Sequence, residues 1–392
     1  MTKQKGTVPV SRIKVYDTGL VHIRQFGPMT RRSFGRGLAG AGAAAAVGLS
    51  GLSASAATGV GYMGWQDYDT GLDVDDWFAK NDITLKTTYI GSNEEIIAAG
   101  SAGGVGVLDL CTPAVIYLDI YEQAGILEPL DLDRIPNWNL LIPELRDLIT
   151  VSSDNTVPAL PFQWGDVPLM YNAEVISEPP TSWHDLMKPE YVGKTSMVYD
   201  VMGVMVHTPM FVTGTKTPTL LTREELDASI DWLIKFKKEH ALTICSSYGD
   251  LAALYANGEV IIAPAWTPTV SWAGPDAPEL KWVAPKEGML VFSDVFSMFK
   301  DAPNKDLNYK ILNHSLSPEV QANTANLIMT AVTVADAVPL LDEAPRDLYP
   351  YDSIADWFEL SGGPFPGWPI EPPEGIMSFD DIIEGWERFV SA

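Results

Sequence analysis

Gly59-Val60-Gly61-Tyr62-Met63-Gly64 matches the G-x-G-x-x-G spacing of a dinucleotide-binding turn. That chemistry needs the glycines after a strand and at a helix N-terminus, so that backbone amides meet a pyrophosphate. Here they precede the first strand-like run, and the match is read as accidental. The five histidines, His22, His184, His207, His240 and His314, stand far apart, with no H-x-x-x-H or C-x-x-C spacing to gather a metal. There is no G-x-S-x-G elbow and no Walker loop. The acid pairs Asp75-Asp76 and Glu94-Glu95 fall in helix first turns, where carboxylates complement the helix dipole. With no local catalytic constellation and no cofactor motif, the weight moves from enzyme to binder. An active site assembled from distant residues stays open.

The elements that would position a site alternate between short strands and helices. Residues 73–81 read as a helix and 83–90 as a β-rich strand. Asn93 is placed to cap a helix that Gly100 and Gly103-Gly104 end. A strand over 105–111 and a helix over 114–124, closed by Gly125, complete a β–α–β–α order that suggests a largely parallel sheet. Residues 157–162 are extended and lead into Gln163-Trp164-Gly165, a crossing between lobes. Thr222 and Glu225 form a capping box ahead of Leu226, Ile230, Leu233 and Ile234 on one helix face. Asp250 opens a helix that Gly258 closes, before a buried strand at 260–263. Ile382, Ile383, Trp386, Phe389 and Val390 mark an amphipathic C-terminal helix.

Thr30-Arg31-Arg32-Ser33-Phe34, an Ala/Gly-rich run and Ala54-Ser55-Ala56 have the order of an export signal, with adjacent arginines of the twin-arginine kind. The run over 38–57 has only Leu38, Val47, Leu49 and Leu52 as strong hydrophobes, a weak case for a membrane anchor. Cleavage is expected near Ala56, releasing a soluble periplasmic protein carried by the twin-arginine translocase. Of the 26 basic and 51 acidic residues, the segment 1–56 holds eight Lys/Arg and only Asp17. The remainder therefore carries 18 basic and 50 acidic residues, a net charge of −32. Such a field repels nucleic acid and attracts cations, and equally serves as an acidic coat. About 336 residues favour two lobes over one core. Cys111 and Cys245 sit in apolar contexts; an exported compartment permits a disulfide, and two buried free thiols are the preferred reading.

Several stretches then read together: "LDLCTPAVIYLDIYEQAGILEPLDLDRIPNW" from Leu108, "LPFQWGDVPLMYN" from Leu160, "TSWHDLMKPEYVGK" from Thr181, "YANGEVIIAPAW" from Tyr255 and "VAPKEGMLVFSD" from Val283. Together with Gly64-Trp65-Gln66-Asp67-Tyr68, they make the chain resemble the periplasmic solute-binding proteins of ABC importers, most of all the spermidine/putrescine-binding branch, over roughly residues 60–340. The resemblance implies an α/β, two-lobed type II periplasmic-binding fold with a hinge and an interlobe cleft. Its lobes would take residues 57–161 with 295–340, and 162–294 with 341–392, with crossings near 162–165 and 292–296. It implies capture of a small cationic amine and delivery to an inner-membrane permease and its ATPase, by a monomer with no cofactor and no metal. The alternatives are another small solute (a zwitterion, an amino-acid derivative or an anion) and a periplasmic enzyme using the cleft acids.

A polyamine is a chain of ammonium groups separated by methylenes. Carboxylates fix its ends through charge-assisted hydrogen bonds, and aromatic faces attract the cations by about 0.5 to 2 kcal/mol each. The resemblance carries these roles onto Trp65, Gln66, Asp67 and Tyr68, onto Asp200, onto Trp266, and onto Phe292 and Asp294. Three departures stand out. Ala114 and Ile116 replace polar residues after the strand proline, Gly203 replaces a second acid, and Thr330 falls where relatives have a cleft Tyr. Asp166 supplies a charge where relatives often have a small residue; it either replaces the missing acid or satisfies crossing-strand amides. These changes put spermidine itself in doubt and leave a shorter diamine or a zwitterionic amine open. The arginines beyond the signal, Arg134, Arg146, Arg223, Arg346 and Arg388, lie outside the mapped segments, which disfavours an anion.

Overall fold

The computed structural model describes residues 58–274, 276–361, 363 and 365–392. The expected export signal and its expected cleavage near Ala56 lie outside the described residues. The strands, in chain order, are β1 (Thr58–Gly64), β2 (Ile83–Tyr89), β3 (Leu110–Cys111), β4 (Leu130–Asp131), β5 (Thr156–Val157), β6 (Leu160–Val167), β7 (Leu169–Asn172), β8 (Thr195–Val198), β9 (Ala241–Cys245), β10 (Ile262–Pro264), β11 (Leu280–Val283), β12 (Leu290–Met298) and β13 (Ala331–Val332).

Two main sheets organise the chain. One has six strands in the order β13-β6-β12-β3-β1-β2, the other five in the order β11-β7-β10-β8-β9. Only Pro168 separates β6 in the first sheet from β7 in the second, and residues 284–289 return the chain from β11 to β12. The expected parallel character holds for β2-β1-β3 and for β9-β8-β10. The other pairings in these two sheets are antiparallel: β7 with β10 and β11, β12 with β3, and β6 with β13 and with β12, the last over most of their lengths. β6 and β12 are buried along their whole lengths, as two-sided contact demands.

Local sequence accounts for most boundaries. Thr222 and Glu225 form the expected reciprocal cap of the helix Arg223–Glu239, whose Leu226, Ile230 and Leu233 are buried. The C-terminal helix Phe379–Ser391 buries Ile382, Trp386 and Phe389, while Val390 stays exposed. Five expectations need correction. Gly59, Gly61 and Gly64 do not precede the first strand but lie inside it, in β1. The helix over 73–81 is broken, because Asp75 and Asp76 take left-handed φ values of 54° and 56° before the turn Trp77–Lys80. The strand over 105–111 shrinks to β3, since Gly103 and Gly106 hold positive φ and keep the approach in turns. Asn93 does not cap its helix but begins it. Its Oδ1 accepts from the Ala114 amide at 2.8 Å, and the Tyr121 hydroxyl donates to its carbonyl. The helix Tyr248–Ala256 opens two residues before Asp250, capped by Ser247, whose hydroxyl accepts from the Asp250 amide. Cys111 and Cys245 are both buried and free.

Candidate functional site

The ends of the parallel strands place the candidate residues. Trp65 follows β1, Asp200 follows β8, and Trp266 follows β10, each at a strand's carboxyl end, where open α/β sheets bind their ligands. Phe292 and Asp294 sit on β12. Across the two sheets Trp65 meets Trp266 edge-on, with ring centroids 6.0 Å apart. Trp266 also stacks on Phe292 at 5.4 Å and on Tyr248 at 4.6 Å.

Asp294 is 2 % exposed and accepts a 2.6 Å hydrogen bond from the Tyr68 hydroxyl. Burial pushes its carboxyl up to about 7; Asp200 adds to the rise, while Tyr68 and the indole of Trp65 oppose it. Asp200 is half-buried at the N-terminus of the helix Val201–Val212. It accepts from the Met202 amide at 3.1 Å and the Tyr248 hydroxyl at 2.8 Å. Desolvation raises its pKa, and the nearby Glu94 adds to the rise. A structural acid elsewhere provides the contrast. Asp109, as buried as Asp294, takes four donors: the amides of Gly61 and Asn304 and the side chains of Asn304 and Asn308. Among the described residues no Lys or Arg forms an ion pair with Asp200 or Asp294. The charge of Asp200 adds to the cost of ionising Asp294, and a nearby cation would relieve it.

The remaining candidates divide. Tyr68 is buried against Phe162 and holds Asp294. Asp67, with φ of 68°, turns the chain from Trp65 into the helix Tyr68–Leu72; its carboxyl is raised by partial burial and by Asp69. Gln66 is exposed, and its side chain donates to Asp67 at 3.4 Å. Asp166 lies apart. It pairs with Val291, so strand alternation turns it to the face opposite Phe292 and Asp294. The Thr267 hydroxyl donates to it, and burial raises its carboxyl to about 6. That donor is thus a hydroxyl from the loop after β10, not an amide of β6 or β12.

The departures have packing consequences. Ala114 is buried and bridges to Asp294 through the backbone. Ile116 is buried, and its carbonyl accepts from the Trp368 amide. A Cβ at Gly203 would stand 2.7 Å from Asp200 Oδ2, so a second acid cannot be added there without moving the first. Thr330 donates to Gln163 at 2.7 Å. Sequence reasoning missed Tyr248, Glu94 and Gln163. Tyr248 was findable: it opens the helix after β9, at the same strand end as Asp200. The five arginines all sit in ion pairs with other acids: Arg134 with Asp306, Arg146 with Asp147, Arg223 with Asp381, Arg346 with Asp347, and Arg388 with Asp227.

Residues 74–348 match the bacterial extracellular solute-binding proteins. The chain belongs to that family. This solute-binding protein is 29% identical over 306 residues to the putrescine-binding periplasmic protein PotF of Escherichia coli, covering 73% of this chain and 81% of the relative. Its fold matches the TpPotD lipoprotein of Treponema pallidum with a TM-score of 0.67 at 18% identity, covering 85% of this chain and 98% of that one. It also matches the spermidine/putrescine substrate-binding protein PotD of Streptococcus pneumoniae, with a TM-score of 0.65 at 19% identity and the same coverage. The two-lobed periplasmic-binding architecture is therefore shared, and the solute-binding protein belongs to a transport family rather than to an enzyme family.

Proposed function

We propose that this solute-binding protein captures a small cationic amine in its cleft and delivers it to an inner-membrane ABC permease, whose ATPase subunits hydrolyse the ATP. The single observation that carries the reading is Asp294: a buried carboxyl, raised to about 7 by burial and by Asp200, held by the Tyr68 hydroxyl and with no ion-pair partner among the described residues. A ligand ammonium would supply the missing charge, and the aromatic edges would shed water from its methylenes. The relatives named for putrescine and spermidine support the same ligand class.

In this reading Trp65, Asp67 and Tyr68 on one side close against Asp200 and Trp266 on the other, with β6 and β12 as the hinge. The lobes are residues 57–161 with 295–340 and 162–294 with 341–392. Ligand stabilises the closed form, which the permease recognises. The protein works as a periplasmic monomer, exported through the twin-arginine route with cleavage near Ala56, and returns its ligand chemically unchanged. Tryptophan fluorescence tests the ligand class, since Trp65 and Trp266 meet at the cleft. Putrescine, cadaverine, spermidine and agmatine are titrated alongside sulfate and succinate. A saturable change with an amine and none with the anions is expected; a response to the anions alone would refute amine capture.

A further inference from the structure

We infer that Gln163 contacts the ligand and sets specificity, by donating to an oxygen acceptor carried close to the amine's ammonium group. The inference rests on the amine reading above and narrows it to hydroxylated or acylated amines. Three neighbouring strands bring the groups to one face. Val332 of β13 pairs with Gln163 of β6, which pairs with Asp294 of β12. Pairing resumes at Pro161 opposite Val295, so Phe162 is an extra residue with no partner on β12. Such a bulge re-aims the side chains beside it. Phe162 accordingly packs against Tyr68, the residue that holds Asp294. Gln163 is therefore a cross-strand neighbour of the cleft acid, with Cβ atoms of such pairs about 5 Å apart.

The Gln163 side chain is fully buried. Thr330 donates to its Oε1, which fixes the carboxamide, while Nε2 has no hydrogen-bond partner among the described residues. A buried amide nitrogen offers two hydrogens and is costly to leave unmatched. An ammonium on Asp294 and an oxygen two carbons away would satisfy both groups. A plain diamine would leave the amide unmet and would bind more weakly for it.

The probes are putrescine and 1,4-diamino-2-butanol, equal in length and differing by one hydroxyl. Calorimetric affinities are measured at about pH 8 on the wild type, Gln163→Met and Thr330→Val. The hydroxylated diamine is expected to bind the wild type about fivefold tighter or more. The ratio should fall to near one in Gln163→Met and shrink in Thr330→Val, where the amide loses its anchor. Each ratio is taken within one protein sample, so partial unfolding does not alter it. Equal affinities in the wild type, or a ratio unchanged in Gln163→Met, would overturn the role of Gln163 while amine capture stood. Failure of the wild type to bind either diamine would remove both.

Discussion

Asp294→Asn should make the ligand-free protein more stable at pH 8 while abolishing its response to amines. The carboxyl is raised from 3.8 to about 7, chiefly by burial. That difference corresponds to about 4 kcal/mol against the ionised form in the fold. Its pH dependence follows from proton binding. Below pH 3.8 the group is protonated folded or unfolded and contributes nothing. Between 3.8 and about 7 the unfolded chain gives up its proton first, so stability falls as pH rises, and the full penalty stands above 7. Asparagine removes the charge and can still accept from Tyr68, but its own amide hydrogens would be buried, returning about 1–3 kcal/mol of the gain. The net expectation is about 1–3 kcal/mol at pH 8, a rise in Tm of a few degrees for a chain of this size. At pH 4 the advantage should vanish or reverse. Putrescine should raise the wild-type Tm by mass action and leave the variant's unchanged. Thermal melts at pH 4, 6 and 8, with and without amine, decide it. A variant that melts no higher than wild type at pH 8, or that keeps the ligand shift, would refute the claim that this carboxyl is held at a cost for a cation.

Other changes separate the cleft from its support. Asp166→Asn should also stabilise the protein above pH 6 in the same melts, because burial raises that acid to about 6. It should leave amine affinity within about threefold, since Asp166 faces away from Asp294; a large loss by calorimetry would return it to the site. Trp266→Leu removes the ring that meets Trp65, Tyr248 and Phe292, and should weaken amine binding by about threefold to thirtyfold in the same titration. Thr222→Ala breaks the capping box far from the cleft and should lower stability by about 1 kcal/mol in urea unfolding, with affinity unchanged.

The sequence made the fold legible where local chemistry decides it. The Thr222 cap, the alternation of strands and helices, and the extended run through Phe162 all point to their elements before any tertiary contact is known. It failed where tertiary contacts override local preference. Asn93 looks like a helix cap, but its side chain is claimed by the Ala114 amide twenty-one positions on. The left-handed turn at Asp75 and Asp76 breaks a segment whose pattern is helical. The same holds at the site. Trp65, Tyr68, Asp200, Trp266 and Asp294 rest on resemblance; the geometry pairs Trp65 with Trp266 and Tyr68 with Asp294, and links Asp200 to Trp266 through Tyr248. Tyr248 carried only its place at the start of the helix after β9, and Gln163 no local mark. Each matters through a partner far along the chain, Asp200 for one and Thr330 for the other.

Calorimetric titration of protein unfolded and refolded to strip bound solute, using putrescine, cadaverine, spermidine and agmatine, tests the central claim most directly. One saturable site per chain is expected for at least one amine, with the ligand recovered unchanged and the heat lost in Asp200→Asn together with Asp294→Asn. No heat with any amine, or undiminished binding in that double variant, would contradict it.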